Sequence, residues 1–261
     1  MHARYHPNPI DSDLLLLAYR SGIFPMADAR EDPDVFWVEP RYRAILPLDG
    51  FHLSRSLART LRRGRFTVTC NAAFATVLEA CAAPRRESRE TWISERIAES
   101  YCALHEEGYA HSIECWDGGA LVGGLYGVGF DRVFCGESMF SRATDASKVA
   151  LAWLVATLRR AGAVLLDCQF MTEHLASLGA VEISQKRYLE LLSAAQRAGE
   201  AVGPGAGAGL GRRAGGGGAA VGAPLALPEA FAALLAEAEA AAVASSSSPG
   251  NFIAQSLTQT S

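Results

Sequence analysis

Three strand-forming stretches follow one another in the middle of the chain with no helix between them. "AHSIECW", "ALVGGLYGVGF" and "RVFCGESMFS" occupy residues 110–116, 120–130 and 132–141, the first two joined by the turn pair Asp117-Gly118. An Asp-Gly pair between apolar runs is a strong tight-turn signal, so these stretches predict an antiparallel hairpin that a third strand extends. A helix from about Asp145 to Arg160 follows, with Thr144 or Asp145 at its cap. Then come a strand, "AVLLDCQF", apolar as far as Asp167, a short helix "EHLASLG" capped by Thr172, and a helix "SQKRYLELLSAAQRA". Few folds accept a meander and then α-β-α in this order.

Upstream, Asp11 to Gly22 forms a short helix with an Asp or Ser cap and a Gly stop. "VFWVEP" and "RAILPL" are strands ended by prolines, and Leu53 to Gly64 is a helix with Ser54 as its cap. "FTVTC" is a strand, Asn71 caps the helix "AAFATVLEACA", and Ser94 caps "ERIAESYCALHEEG". The whole order resembles the acyl-CoA N-acyltransferase fold: an α/β (α+β) domain over residues 46–198, preceded by a small N-terminal subdomain over 1–45. After Ala198 the composition changes. Residues 199–225 are rich in Gly and Ala and too poor in bulky apolar side chains to order themselves, which predicts a flexible linker. Residues 226–261 read as an Ala-rich helix and a polar tail, and the Gly-rich C-terminal extension is expected to be disordered.

The 261 residues are 49% apolar, enough for a real core, and carry 24 basic against 28 acidic groups for a net charge of −4. That balance argues against a protein coated in nucleic acid but permits a local basic patch. Six cysteines show no C-x-x-C pair and no zinc-finger spacing with His. The first residues, "MHARYHPNPID", lack the apolar core of a secretory signal. No run of about 18 uncharged apolar residues is present to span a bilayer. A cytoplasmic protein with reduced thiols is expected.

Four constellations carry possible chemistry. Arg55, Arg59, Arg62 and Arg63 are spaced i, i+4, i+7 and i+8, which gathers them on one helical face; Arg65 follows, with no acid between Arg55 and Arg65. Such a face suits phosphate, although a solvated surface would show the same pattern. Arg85, Arg86 and Arg89 could extend it. Asp167 and Gln169 leave the same face of their strand and must find hydrogen-bond partners; a polar strand end would also place them so. In "FCGESMFS", Cys135 and Glu137 share one face, with Phe134, Gly136 and Ser138 on the other, unless Gly136 bulges the strand. A Cys135 nucleophile would need a base, for which His111 or His174 are the candidates; a buried structural thiol is the default. Leu125, Phe134, Leu154, Leu158 and Leu166 read most simply as core. Trp92, in a polar loop, is harder to explain that way.

"GIFPM", "HLSRSLARTLRR", "TWIS", "HSIECW", "LVGGLYGV", "FCGESMFSRATDASKVAL", "LLDCQ", "HLASLGA" and "YL" occur in this order. Together they resemble the leucyl/phenylalanyl-tRNA–protein transferase family, from about Leu14 to Leu192. The resemblance implies transfer of Leu or Phe from aminoacyl-tRNA to the α-amine of a protein that begins with Arg or Lys, marking it for N-degron proteolysis. It implies a monomer that uses no cofactor, no metal and no membrane. Asp167, Gln169 and Glu137 would be catalytic. Trp92, Leu125, Phe134, Gly136, Leu154, Leu158, Leu166 and Met26 would form the aminoacyl pocket, Met26 standing where family members often have Trp. Arg55, Arg59, Arg62 and Arg63 would bind the tRNA. Glu137 and Asp167 are then expected to hold the incoming ammonium or the cationic side chain, with Gln169 orienting the amine. A coenzyme A-dependent N-acetyltransferase would need a [QR]-x-x-G-x-[GA] loop, and "GESMFSRATDASK" stands in its place. A non-catalytic RNA-binding module would explain the arginines but not the polar trio.

Overall fold

The computed structural model describes residues 8–84, 91–200 and 222–258. The chain runs α1 (Ser12–Arg20), β1 (Phe24–Met26), β2 (Phe36–Val38), β3 (Tyr42–Ile45), α2 (Arg55–Arg63), β4 (Thr67–Cys70), α3 (Phe74–Ala82) and α4 (Glu95–Glu106). It continues through β5 (Ala110–Asp117), β6 (Ala120–Phe130), β7 (Val133–Ser141), α5 (Ala146–Arg160), β8 (Leu165–Gln169), α6 (Glu173–Ser177), β9 (Val181–Ser184) and α7 (Gln185–Glu200). Two more helices, α8 (Leu227–Ser245) and α9 (Pro249–Ser256), complete it.

Seven strands form one mixed sheet in the order β4-β5-β6-β7-β8-β3-β9, and β1 and β2 pair separately. The meander β5-β6-β7 is antiparallel as expected. Its tight turn is centred one residue later than the Asp-Gly pair, on Gly118 and Gly119, at φ 56° and 86°. A two-residue hairpin turn with positive φ at both centres suits two glycines better than an aspartate. β8 joins β7 in parallel through the crossover helix α5, and β3 returns from the N-terminal region to pair antiparallel with both β8 and β9.

Caps fall largely where side-chain chemistry puts them. Asp11, Ser54, Ser94 and Thr172 each accept from a backbone N–H in the first turn of their helix. Asn71 does not cap α3. It lies at φ 58°, and its Oδ1 accepts the Ser112 N–H at 2.9 Å. The N–H groups of Ala72 and Ala73 point instead at the buried Glu114 carboxylate, 3.4 Å away. Asp145 likewise makes no side-chain cap at α5 and accepts from the Thr60 hydroxyl at 3.1 Å.

Two apolar clusters sandwich the sheet. One contains Leu125, Phe134 and Leu166 from the strands, with residues of α2, α5, α8 and α9. The other contains Tyr126, Val128, Cys135 and Leu165, with residues of α1, α3, α4 and α7. α5 is buried almost all round because the sheet covers one side and α8 the other. The stretch read as a polar tail thus carries a helix, α9, whose Ile253 and Ala254 are fully buried. Residues 201–221 of the Gly-rich stretch lie outside the described residues.

Candidate active site

β7 and β8 run side by side with Cys135 opposite Asp167. Glu137 and Gln169, each two residues further along, leave the same face. The pairing of β7 with β6 shifts here: Gly127 pairs with Gly136, but Tyr126 pairs with Ser138. Glu137 is the extra residue of a β-bulge, a device that re-aims a side chain. The bulge also ends the simple alternation that placed Ser138 with Phe134.

The polar trio meets. Gln169 Nε2 donates to Glu137 Oε1 at 3.0 Å, and the Gln169 backbone N–H donates to Asp167 Oδ1 at 2.8 Å. Gln169 has φ 61°, a left-handed conformation that costs about 1–3 kcal/mol for a residue with a Cβ. The bond to Asp167 holds the backbone in this turn and aims the amide at Glu137.

Asp167 has no exposed surface. Arg43, also fully buried, grips it through Nε at 3.0 Å to each carboxylate oxygen and through Nη2 at 2.6 Å to Oδ2. Tyr188 donates to Oδ2 at 3.0 Å. The guanidinium also donates to the Gly22 carbonyl at 3.1 Å and lies 4.8 Å and 4.3 Å from the ring centres of Phe24 and Tyr188. Burial alone would lower the Arg43 pKa, but the Asp167 carboxylate reverses this and raises it. Both Asp167 oxygens are therefore engaged, by Arg43, Tyr188 and the Gln169 N–H. Within the trio, Asp167 meets the Gln169 backbone N–H.

Glu137 is buried, and among the described residues no cation pairs with it. Tyr101 donates to its Oε2 at 2.9 Å, and the Tyr101 and Tyr19 hydroxyls are 2.5 Å apart. Burial pushes the Glu137 carboxyl up to about 7; hydrogen bonds from Tyr19, Tyr101 and Gln169 pull the other way, and the Asp167 charge adds to the rise. A carboxyl of this kind takes or gives a proton near neutrality.

Cys135 is fully buried, and its thiol is pushed up first by burial and then by Asp167. A reactive thiolate needs the reverse. His111 sits on β5, its Nδ1 3.0 Å from Asn71 Nδ2, with β6 between β5 and the strand of Cys135.

The expected lining divides between the two faces. Leu125, Phe134, Leu154, Leu158 and Leu166 come together under α5 and are buried in one cluster. Trp92 and Met26 are half-buried against the other cluster. Gly136 lies at the bulge between them; a Cβ built there would meet only the Asp167 carbonyl, at 3.5 Å. Arg55, Arg59, Arg62 and Arg63 are exposed on α2, and among the described residues none of them forms a salt bridge. Arg65 is engaged by Asp117 at 2.9 Å. Arg85, Arg86 and Arg89 lie outside the described residues.

Arg43, Tyr188, Tyr101 and Tyr19 escaped the sequence reading. Arg43 carried a weak signal, an arginine in the strand "RYRAIL" whose neighbours Ala44 and Leu46 are apolar. Tyr188 stood only in the quoted pair "YL", without a role, and Tyr19 and Tyr101 carried no signal, because a tyrosine within an amphipathic helix usually packs.

Residues 45–193 match the family described as leucyl/phenylalanyl-tRNA protein transferase, and residues 8–41 match the N-terminal domain of the same enzymes. This chain belongs to that family of aminoacyltransferases. A leucyl/phenylalanyl-tRNA–protein transferase of Novosphingobium aromaticivorans is 67% identical, the match covering 99% of this chain and 100% of the relative. Proteins of the same name from Rhizorhabdus wittichii and Zymomonas mobilis are 60% and 57% identical. Those matches cover 71% and 72% of this chain, and 75% and 70% of the relatives. Among the described residues no helix is long and apolar enough to cross a membrane.

Proposed function

We propose that this chain transfers Leu or Phe from aminoacyl-tRNA to the N-terminal α-amine of proteins that begin with Arg or Lys, as a cytoplasmic monomer on an acyl-CoA N-acyltransferase-like fold, and so marks them for N-degron proteolysis. The observation that carries the reading is the buried Glu137–Gln169 pair, held from behind by Asp167 and Arg43.

The aminoacyl ester is already activated, so little base strength is needed. The acceptor amine has a pKa near ~8, which leaves about a tenth neutral at pH 7. The amine nitrogen attacks the ester carbonyl, a C–N bond forms, the C–O bond to the tRNA ribose breaks, and a proton passes from nitrogen to the departing ribose oxygen. Glu137 holds the ammonium and takes its proton on the way, being a carboxyl poised near neutrality. Gln169 orients the amine. Asp167 and Arg43 are positioning residues that touch neither substrate. Placement of the two reactants supplies the larger share of the rate, up to ~7–11 kcal/mol in ideal cases. The aminoacyl side chain enters among Leu125, Phe134, Gly136, Leu154, Leu158 and Leu166, with Trp92 and Met26 at the approach to the acceptor end of the tRNA. The four arginines of α2 grip its phosphates.

Labelled Phe-tRNA with a peptide that starts with Arg tests this directly. Transfer to the Arg peptide and not to an acetylated control is expected. Binding without transfer would leave an RNA-binding module, and neither would remove the reading.

A further inference from the structure

The match to the family ends at residue 193, so residues 222–258 lie beyond it. The described part of this segment is anchored at both ends. Asp131 N–H donates to the Ala223 carbonyl at 2.7 Å, and Pro224 bridges to Phe130. α8 lies along α5, with Phe231 5.6 Å from Trp153 and Glu237 paired with Arg160 at 2.8 Å. α9 then reaches α2. Ser248 Oγ donates to the carbonyls of Leu61 and Arg62 at 3.1 and 2.8 Å, at the C-terminal end of α2, where Leu61 also accepts from the Gly64 N–H. Gly250 sits so close that a Cβ there would meet the Leu61 carbonyl oxygen at 2.2 Å.

The geometry points to residues 222–258 as the seat that orients the arginine helix and thereby sets the affinity for aminoacyl-tRNA. The inference rests on the reading that α2 grips the tRNA. α2 has nine residues, too few for a stable isolated helix, and it buries only Leu57, Ala58 and Leu61. Its direction is set by what that narrow face meets, and α9 is its most extensive neighbour. Ile253, Ala254 and Leu257 of the segment are buried in the same apolar cluster as Leu57 and Leu61. Charge separates a seat from a second grip. Residues 222–258 contain no Lys or Arg, and none of residues 240–258 is charged, so this segment neither binds phosphate by charge nor neutralises Arg55, Arg59, Arg62 and Arg63. All four stay exposed with α9 in place.

The test compares two donors. Aminoacyl-tRNA engages α2 and the site, whereas a 3′-aminoacyl adenosine presents the ester without the tRNA body. Gly250→Leu should raise the Kd for tRNA, read by fluorescence anisotropy, and the KM for aminoacyl-tRNA about tenfold, with kcat within about twofold. Its transfer from the adenosine donor should match the wild type. Ser248→Ala should do the same more weakly. Deletion of 222–258 strips the outer face of α5 and can unfold the chain, so the point variants decide. Unchanged tRNA affinity in Gly250→Leu overturns the proposal, and so does an equal loss with both donors, which would mean a damaged pocket. A wild type that binds tRNA without transferring from it removes the proposed function and leaves the seat standing. A wild type that binds no tRNA removes both.

Discussion

Asp167 and Glu137 lie on adjacent strands and face the same way, yet the molecule treats them differently. Asp167 is met by a guanidinium, a tyrosine hydroxyl and a backbone N–H. Glu137 is met by an amide and by the Tyr101 and Tyr19 hydroxyls, with no cation among the described residues. Burial among neutral donors pushes the Glu137 carboxyl up to about 7. The difference teaches that neighbouring acids on one sheet face are set apart by their partners, which fits the proposed division into a positioning acid and a responding one.

The comparison breaks first at Arg43. Arg43→Met strands Asp167 as an unpaired buried charge, which should cost about 3–5 kcal/mol of stability, measured by chemical denaturation. Arg43→Met with Asp167→Asn should recover much of that loss, because removing both members of a buried pair costs less than removing one. A double variant as unstable as the single one would show that the loss does not come from breaking the Arg43–Asp167 pair. Activity should stay low in both, since Gln169 depends on Asp167 for its left-handed turn.

Glu137→Gln sharpens the contrast next. The folded pKa of Glu137, about 7, lies above the ordinary 4.5. Between these values the folded protein holds a proton that the unfolded chain has released, so stability falls as pH rises through this window and the loss is complete above about 7. The shift corresponds to about 3 kcal/mol. Glu137→Gln should therefore be stabilised relative to the wild type at about pH 8, with the gap closing toward pH 4.5, while transfer falls. His111, pushed down to about 4 by burial, acts in the opposite sense: its contribution is lost as pH falls from 6.5 toward 4. It is common to both proteins and cancels in the difference. Parallel stability profiles for the two would mean that Glu137 does not titrate in this range.

The outward skeleton of the site was legible because strand parity is a local rule. Spacing of two put Asp167 with Gln169 and Cys135 with Glu137, and the parallel register of β7 with β8 then brought the pairs together. The arginine face of α2 was legible for the same reason, a helical period within eleven residues. What holds the trio was not legible. Arg43 comes 124 residues before Asp167, and Tyr101 36 residues before Glu137. No local pattern specifies such long-range pairs. α9 was missed because "SSSSPGNFIAQS" has a weak apolar period of its own. Its order comes from the neighbours of Ile253 and Ala254, which exist only once α2 and α5 are in place. Asn71 has the side chain of a cap, but Glu114, reaching α3 from the next strand, takes that role. Tertiary contacts decide where local propensity offers more than one answer.

The smallest expected effect separates the two acids by their tyrosines. Tyr188→Phe removes one donor from Asp167 and leaves Arg43 in place, so it should cost about 1.5–3 kcal/mol, the range for a hydrogen bond to a charged group. Glu137 is not its partner, and the pH dependence of transfer should keep its midpoint. Tyr101→Phe removes a donor that favours the ionised form of Glu137. The Glu137 pKa must then rise, and the pH–rate profile should move to higher pH while the plateau rate falls only modestly. The two substitutions delete the same atom from neighbouring carboxylates. If both shift the profile equally, or neither does, then the fixed and the responsive acid are not distinct; if only Tyr101→Phe does, the proton that matters resides on Glu137.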